Sequence, residues 1–344
     1  MNLAELGLGP HVVSACASLG VPGLVPARAL VVIGHHATVA TPDGELELTV
    51  PPSLVTDPRD RPVAGDYLAI DPARLAVHSL LPRKSMLVRN AAGRATAAQV
   101  LAANVDVVFI VSSLDADFSV RRLERYLSIV RTSGATPVLL LTKSAHVADR
   151  DAKRDEAQAV APGVAVSCID VVDGLDADGP LRFFGEGETA ALVGSSGVGK
   201  STLVNHLIGS LRGETGPVRE ADAKGRHTTT RRELFFLPGG RALLDTPGLR
   251  ELQLFDDEVG VRATFPEIEA LGGQCRFRDC HHRSEPGCAV NAAIAAGELS
   301  SERFASYRAL LEEALSRKGQ ASLERKTAGK VGARAMREIS RRKR

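Results

Sequence analysis

The sequence predicts a multidomain α/β protein with an N-terminal antiparallel β-barrel, a central α/β domain and a C-terminal helical part that holds a metal. Three observations support this fold class. Short segments of alternating apolar and polar residues fill the region 28–81, and longer apolar runs then alternate with helix-like stretches. Three cysteines crowd between Cys275 and Cys288. The expected divisions are 1–90, 91–260, 261–320 and a basic tail at 321–344.

The first block carries the short runs ALVVIG, HATVAT, ELELTV and GDYLAID, which are separated by Pro, Gly and Asp. Alternation with a period of two over such short segments indicates a small antiparallel barrel. Five strands in this length suit an oligonucleotide-binding (OB) barrel, although an SH3-like barrel would give the same pattern. A basic segment, PRKSMLVRNAAGR, follows the barrel.

The central block contains three continuous apolar runs, VDVVFIVSS, TPVLLLTK and GVAVSC. Such runs are typical of strands that are buried on both faces. The stretch VRRLERYLSIVRTSG has helical spacing and ends at Gly134, and RRELFFLPGGRALLDTPG adds two strands joined by a turn. The alternation of strands and helices predicts a parallel or mixed sheet.

A phosphate-binding loop stands in this block as GSSGVGKS, with a predicted strand before it and a predicted helix after it. Its glycines allow backbone N–H groups to turn inward around phosphates, and the helix N-terminus favours negative charge. Lys200 is expected to reach the β- and γ-phosphates, and the Ser201 hydroxyl to ligate Mg²⁺. The predicted phosphate-binding residues are Gly194, Ser195, Ser196, Gly197, Val198, Gly199, Lys200, Ser201 and Thr202.

The segment LLDTPG supplies a second part of the predicted Mg²⁺ site, because a buried strand there delivers Asp245 to the metal. Gly248 can then donate its N–H to the γ-phosphate. The polar segment GRHTTT lies between the two motifs, and Thr228 or Thr229 can close on Mg²⁺ as a switch. The Mg²⁺ ligands are thus expected to be Ser201, Thr229 and Asp245.

The residue after DTPG is Leu249, where Ras-like enzymes use a Gln to orient the attacking water. A leucine cannot do this, so unaided hydrolysis should be slow or another group must place the water. His227 is the nearest candidate in the switch segment and is the predicted catalytic residue.

The cysteine cluster, CRFRDCHHRSEPGC, offers three thiolates and an imidazole, which make a closed tetrahedral Zn²⁺ site. The predicted ligands are Cys275, Cys280, His282 and Cys288, and the adjacent His281 could compete. A closed set of four ligands leaves no position for a substrate, so the expected role is structural.

Composition and charge narrow the class of protein. The net charge is only +2, but the segment from Glu324 to Arg344 holds nine Lys or Arg and two Glu. That tail is either a solvated end or an arm that binds nucleic acid through counterion release. No apolar run approaches a membrane span and no secretory signal is visible, so a cytoplasmic location without membrane association is expected. A monomer is also expected. Cys16 and Cys168 stand alone and are expected to be small buried residues.

The order of these motifs resembles the ribosome-small-subunit-dependent circularly permuted GTPases of the RsgA (YjeQ) type. The motifs that carry the resemblance are the barrel, LTKSA placed before GSSGVGKS, GRHTTT, DTPG and CRFRDCHHRSEPGCAV, and it covers roughly 27–320. It implies an OB-type barrel, a circularly permuted P-loop GTPase domain and a helical zinc domain. It also implies GTP hydrolysis stimulated by the 30S subunit, contact with its rRNA, a catalytic part for His227, and His282 as the ligand.

The LTKSA loop departs from the [NT]-K-x-D pattern of that family. Thr142 and Lys143 match, but Ala145 stands where a carboxylate would accept hydrogen bonds from guanine. Losing two charge-assisted hydrogen bonds costs on the order of 2–4 kcal/mol. Lys143 can still lie over the base, and the backbone near Ser167 and Cys168 can still contact its carbonyl. Phosphate binding is therefore expected to be intact, while the effect on guanine selectivity is left open.

Three hypotheses follow for the function. The first is a GTPase of small-subunit assembly that strongly prefers GTP; equal turnover of ATP would contradict that preference. The second is an RNA-binding assembly factor with weak or relaxed nucleotide selectivity, which would not bind GDP at micromolar concentration. The third, a P-loop small-molecule kinase or ATPase, is disfavoured by the switch-like GRHTTT and by the cysteine cluster.

Overall fold

The computed structural model describes residues 1–90, 98–115, 118–212, 233–245 and 258–317. These residues fall into two compact units. The first comprises Met1–Val88 and Val100–Leu252, and the second comprises Arg89–Gln99 and Gln253–Arg344. No helix among the described residues is long and apolar enough to cross a membrane.

The N-terminal barrel is closed by five strands in the order β1-β2-β3-β5-β4. The neighbours are antiparallel, except that β3 and β5 are parallel. Apolar residues at alternate positions, such as Val39 and Leu68, fill its interior. This confirms the predicted five-stranded barrel. The strands are β1 (Val25–Ile33), β2 (His36–Thr41), β3 (Gly44–Thr49), β4 (Tyr67–Asp71) and β5 (Ala76–Leu80).

A short helix, α1 (Pro10–Ala17), precedes the barrel in a region where no element was predicted. Leu6, Leu8, Val12 and Cys16 are buried there. A buried apolar face explains why this segment is ordered against the rest of the first unit. Cys16 is thus a small buried residue, as expected.

The central domain is built on a sheet of six strands in the order β10-β9-β8-β11-β13-β12. All pairs are parallel except β12 with β13, so the carboxyl ends of the parallel strands share one edge. The strands are β8 (Val107–Ser113), β9 (Thr136–Thr142), β10 (Ala165–Cys168), β11 (Thr189–Val193), β12 (Glu233–Leu237) and β13 (Arg241–Asp245). Between β5 and β8, β6 (Met86–Asn90) and β7 (Ala98–Ala103) form a two-stranded sheet.

Helices α2 (Val120–Ser133) and α3 (Arg150–Val160) connect successive parallel strands, and α4 (Lys200–Arg212) follows β11. Helix α2 ends as predicted, because Gly134 adopts φ +87° and takes the left-handed conformation that terminates a helix. The predicted burial on both faces is confirmed for β8 and for most of β9, with Phe109 and Leu140 in one core. It is wrong for β10, where Ala165 is exposed, because β10 is the edge strand of the sheet.

The barrel and the central sheet share a buried polar contact in the first unit. Arg28 on β1 is 1% exposed, and its Nη2 donates to the hydroxyl of Thr189 (2.8 Å) and to the carbonyl oxygen of Asn104 (3.3 Å). Its guanidinium also lies 4.4 Å from the ring centroid of Tyr67, a cation–π contact. Thr189 is the first residue of β11, the strand that leads to the phosphate loop.

The second unit contains the helices α5 (Glu258–Thr264), α6 (Pro266–Gly272), α7 (Ala289–Ala295) and α8 (301–317). Phe265, Phe304 and Tyr307 pack together as aromatic neighbours. Arg303 stacks 4.2 Å from the ring of Phe265 and pairs with Glu267 at 2.8 Å. The unit therefore has its own small core. Leu315 on α8 is 45% exposed and lies outside that core.

Candidate nucleotide and metal sites

The phosphate loop joins β11 to α4 at the carboxyl edge of the sheet. Gly194 adopts φ +144°, and a Cβ there would lie 2.2 Å from the carbonyl oxygen of Val111 on the neighbouring strand. Only glycine fits, so the loop packs tightly against β8. Gly197 and Gly199 also have positive φ. The backbone conformation at these three glycines therefore agrees with the motif.

Lys200 at the start of α4 folds back over the loop. Its Nζ donates to the carbonyl oxygen of Gly194 at 2.7 Å and to that of Ser195. The ammonium group is thus held against the backbone of the loop. Ser196 and Ser201 are exposed on this surface.

A second cation reaches the same loop from α2. The Nη1 of Arg122 donates to the hydroxyl of Ser195 at 2.6 Å. The two residues are 73 positions apart in the chain. The phosphate-loop motif does not include Arg122. The one feature of the sequence that could have indicated Arg122 is its place at the start of a helix that follows a parallel strand.

The LTKSA loop begins where β9 ends and lies beside the phosphate loop. The hydroxyl of Thr142 donates to the carbonyl oxygen of Val198 at 2.6 Å. Lys143 adopts φ +56°, a left-handed conformation that is uncommon for a residue with a Cβ. Its Nζ pairs with Asp115 at 2.7 Å. The structure therefore brings together two motifs that are far apart in the sequence.

Ser167 and Cys168, the two residues expected near the base, lie inside β10. Ser167 is 5% exposed and its hydroxyl contacts Arg182 (2.8 Å) and Asp176 (3.2 Å). Cys168 is half-buried, and burial raises the pKa of its thiol. The carboxylate of Asp170, two residues after the end of β10, contacts the LTKSA loop, because its Oδ2 accepts from the N–H of Ala145 at 3.3 Å.

Asp245 is the last residue of β13, the strand next to β11. The parallel register pairs Leu244 with Ala191, so Asp245 lies one step beyond, close to the level at which the phosphate loop begins. This is the edge at which a carboxylate could reach a metal bound to Ser201. His227, Thr228, Thr229 and Gly248 lie outside the described residues, as does the segment 318–344.

Comparison with known proteins decides the family. The model of the family described as RsgA GTPase matches residues 80–255. A protein of Opitutus terrae named small ribosomal subunit biogenesis GTPase RsgA is 43% identical over 332 residues, which cover 91% of this chain and 90% of the relative. The chain belongs to the RsgA GTPase family.

A further relative agrees with this RsgA assignment, and two solved structures share the fold. The protein of Vibrio parahaemolyticus named small ribosomal subunit biogenesis GTPase RsgA 2 is 46% identical over 82% of this chain and 78% of its own length. The crystal structure of YjeQ from Thermotoga maritima has a TM-score of 0.62 at 23% identity and covers 85% of this chain and 99% of that one. The structure of YloQ, titled a circularly permuted GTPase, has a TM-score of 0.60 at 24% identity, covering 86% and 96%. The predicted circularly permuted fold is confirmed.

The cysteine cluster of this RsgA family member gathers four possible ligands. The thiols of Cys275, Cys280 and Cys288 and a ring nitrogen of His282 all lie within 4.8 Å of one another. The Nδ1 of His282 is 3.5 Å from the sulfur of Cys275 and 3.4 Å from that of Cys288, whose sulfurs are 4.0 Å apart. Zn–S bonds of about 2.3 Å in a tetrahedron separate two sulfurs by roughly 3.8 Å. The donor set therefore fits a tetrahedral Zn²⁺.

The surroundings of the cluster support that fit. Burial lowers the pKa of His282, which favours the neutral imidazole that a metal requires. In contrast, burial and the neighbouring thiols raise the pKa of Cys280 to about 11, which opposes the thiolate form that a metal requires. The carboxylate of Glu285 accepts the N–H groups of His281, Arg283 and Ser284 and so holds the loop between the ligands. His281 is exposed and is not among the clustered ligand atoms.

Proposed function

We propose that this chain hydrolyses GTP in the late maturation of the small ribosomal subunit, as a cytoplasmic monomer that contacts 30S rRNA and no membrane. The observation that carries the proposal is the hydrogen bond from Thr142 to Val198. This bond joins the LTKSA loop, which carries Lys143, to the complete phosphate loop. The LTKSA loop comes first in the chain, which is the permuted order. The names of the relatives, which are small ribosomal subunit biogenesis GTPases, supply the partner.

The described residues suit phosphate binding at the Gly194–Ser201 loop. The Nζ of Lys200 lies against carbonyl oxygens of the loop. We infer that this ammonium group contacts phosphate oxygens of GTP or GDP. Backbone N–H groups of Ser195 to Thr202 and the start of α4 complete the anion site.

Magnesium would be held by Ser201, Asp245 and a threonine of the switch segment, Thr229 or Thr228. When bound, Mg²⁺ neutralises charge on the transferred phosphoryl group. The chain must also place the attacking water. Because Leu249 offers no hydrogen bond, we assign that task to His227, with the N–H of Gly248 on the γ-phosphate. Hydrolysis without the ribosomal subunit should then be slow.

Zinc would be held by Cys275, Cys280, His282 and Cys288. Four protein ligands close the coordination sphere, so the ion would stabilise the loop that carries them. The barrel and the basic tail are the parts that we expect to contact rRNA. Both expectations rest on the resemblance to the family and on the nine Lys or Arg among the last 21 residues.

The test measures GTP hydrolysis by the full-length chain with and without 30S subunits. We expect stimulation by 30S, loss of nucleotide binding in Lys200→Ala, and a lower stimulated rate with nearly unchanged GDP binding in His227→Ala. Nucleotide binding that survives in Lys200→Ala would refute the phosphate-loop assignment. If His227→Ala weakens binding and hydrolysis equally, His227 has no catalytic part.

Ala145 favours a second candidate, an RNA-binding assembly factor with relaxed nucleotide selectivity. Titration of labelled GDP in the presence of excess ATP separates the two. The GTPase proposal expects tight GDP binding that ATP does not displace. Absence of GDP binding at micromolar concentration would support the second candidate.

A further inference from the structure

Two loops leave adjacent parallel strands at the edge of the sheet that carries the phosphate loop. The first is LTKSA after β9, and the second follows β10. The N–H of Ile169 donates to the carbonyl oxygen of Leu141 at 2.8 Å, and the hydroxyl of Ser144 donates to the carbonyl oxygen of Ile169 at 3.0 Å. These bonds fix the second loop alongside residues 142–145. Ligands of open α/β sheets bind at such an edge.

Selecting guanine requires an acceptor at this position, because the N1–H and 2-amino groups of guanine are both donors. Ala145 has no side-chain acceptor. The carboxylate of Asp170 lies next to it, with Oδ2 at 3.3 Å from the N–H of Ala145. Oδ1 accepts from the N–H groups of Val172 (3.1 Å) and Asp173 (3.3 Å).

This carboxylate keeps capacity for a further donor. An ionised carboxylate has about four lone-pair sites, and three N–H groups approach that of Asp170. The remaining site is on Oδ2, which faces residue 145. The bond to Ala145 is long at 3.3 Å and is therefore easily exchanged. Val172, whose N–H donates to Oδ1, is 84% exposed.

Other carboxylates around these loops have cationic or imidazole partners. Asp149 pairs with Lys153 at 3.2 Å, and Asp173 lies 3.3 Å from His146. Asp115 is bonded to the Nζ of Lys143. Among these described residues, Asp170 is the one whose carboxylate contacts the backbone of position 145.

We propose that Asp170 supplies the guanine-selecting acceptor that position 145 lacks, so that the carboxylate has moved from one loop to its neighbour. The specificity residue of this chain then lies after β10, while Lys143 stays on the first loop. This inference rests on the nucleotide site proposed above and names its base specificity.

The test is displacement of fluorescent GDP from the full-length chain by unlabelled GDP, IDP, XDP and ADP. IDP lacks the 2-amino group, and XDP carries a carbonyl oxygen in its place. In the wild type, GDP should compete at least about thirtyfold better than ADP and clearly better than IDP. Asp170→Asn should lower the affinity for GDP by a similar factor and bring the affinities for GDP and IDP close together. It should raise the affinity for XDP, whose carbonyl oxygen accepts from the new amide.

Asp170→Ser is a second variant, chosen to preserve the turn and therefore the fold. A serine hydroxyl can still accept the N–H groups of the turn but provides no carboxylate. It should lose the GDP preference and keep ADP binding. Asp173→Asn is the matched control and should leave the ratio of GDP to IDP unchanged.

The outcomes are distinct. Equal weakening of all four nucleotides in both Asp170 variants would show a purely structural turn residue and overturn the inference, as would a wild type that does not separate GDP from IDP. Failure of every nucleotide to bind the wild type would instead contradict the nucleotide site itself. Recovery of GDP preference when Ala145→Asp is added to Asp170→Ser would support the inference that the carboxylate of Asp170 takes the place of one at position 145.

Discussion

The hydroxyl of Thr142 and the carbonyl oxygen of Val198 are 2.6 Å apart, and this bond joins the base loop to the phosphate loop across 56 positions of sequence. Thr142 is 4% exposed, so the bond is shielded from water. It fixes the distance between the two loops before any nucleotide arrives.

Thr142→Val should weaken GDP, IDP and ADP by the same factor, about tenfold, because the substitution leaves the Val198 carbonyl without its donor. The measurement is the displacement assay described for Asp170. Thr142→Ser keeps the hydroxyl and serves as the control. Selective weakening of GDP alone would contradict this role.

Removing the contact of Arg122 with Ser195 should lower nucleotide affinity by about 1 kcal/mol, as expected for a partly exposed hydrogen bond to a charged group. Ser195→Ala isolates the bond, and Arg122→Ala removes it from the other side. A double-mutant cycle measures whether the two effects overlap. Arg121→Ala, a change at the exposed neighbour, should have no effect, and strictly additive effects of the two variants would exclude coupling.

Arg83→Met should lower the free energy of unfolding by about 3–5 kcal/mol, because it leaves a buried carboxylate without its partner. Arg83 binds Asp66 through two bonds of 2.7 Å, and the Asp66 side chain is fully buried. Urea unfolding gives the measurement. The exposed pair of Arg74 and Asp71 is the control, and Arg74→Met should change the free energy by less than about 1 kcal/mol.

Purified protein should contain one zinc per chain, and Cys288→Ser should contain less and should unfold at lower temperature in the second unit. Loss of one thiolate opens the tetrahedral site. Metal analysis and thermal unfolding measure the two effects, and a strong chelator should reproduce the second. Cys168→Ser, at a cysteine outside the cluster, should keep its zinc; an unchanged zinc content in Cys288→Ser would contradict the ligand assignment.

Local patterns predicted the parts of the site that are formed by consecutive residues. The loop from Gly194 to Ser201 and the cluster from Cys275 to Cys288 are such parts, because the spacing of a few residues fixes their geometry. The barrel was also predictable as a small five-stranded sheet, although its pairing order required the three-dimensional structure.

Contacts between distant segments were not predictable in the same way. The position of Asp170 depends on where β10 ends and on its register with β9, and one residue of shift exchanges the two faces of a strand. The backbone near Ser167 and Cys168, at the end of β10, stays the predicted contact with the base carbonyl. An acidic residue two positions after the end of this strand would have been the signal for Asp170. The assignments of His227, Thr228, Thr229 and Gly248, which lie outside the described residues, stay predictions.

Arg28 has a consequence for how the protein can be divided in experiments. Its Nε and Nη1, like the hydroxyl of Tyr67, have no hydrogen-bond partner among the described residues, and its Nη2 depends on Thr189 and Asn104. Excising the barrel would remove the donor to Thr189, the first residue of β11. It would also expose the surface of the central domain that the barrel covers. A truncated GTPase domain is thus a different, weakened molecule, and rates measured on it would understate those of the intact chain.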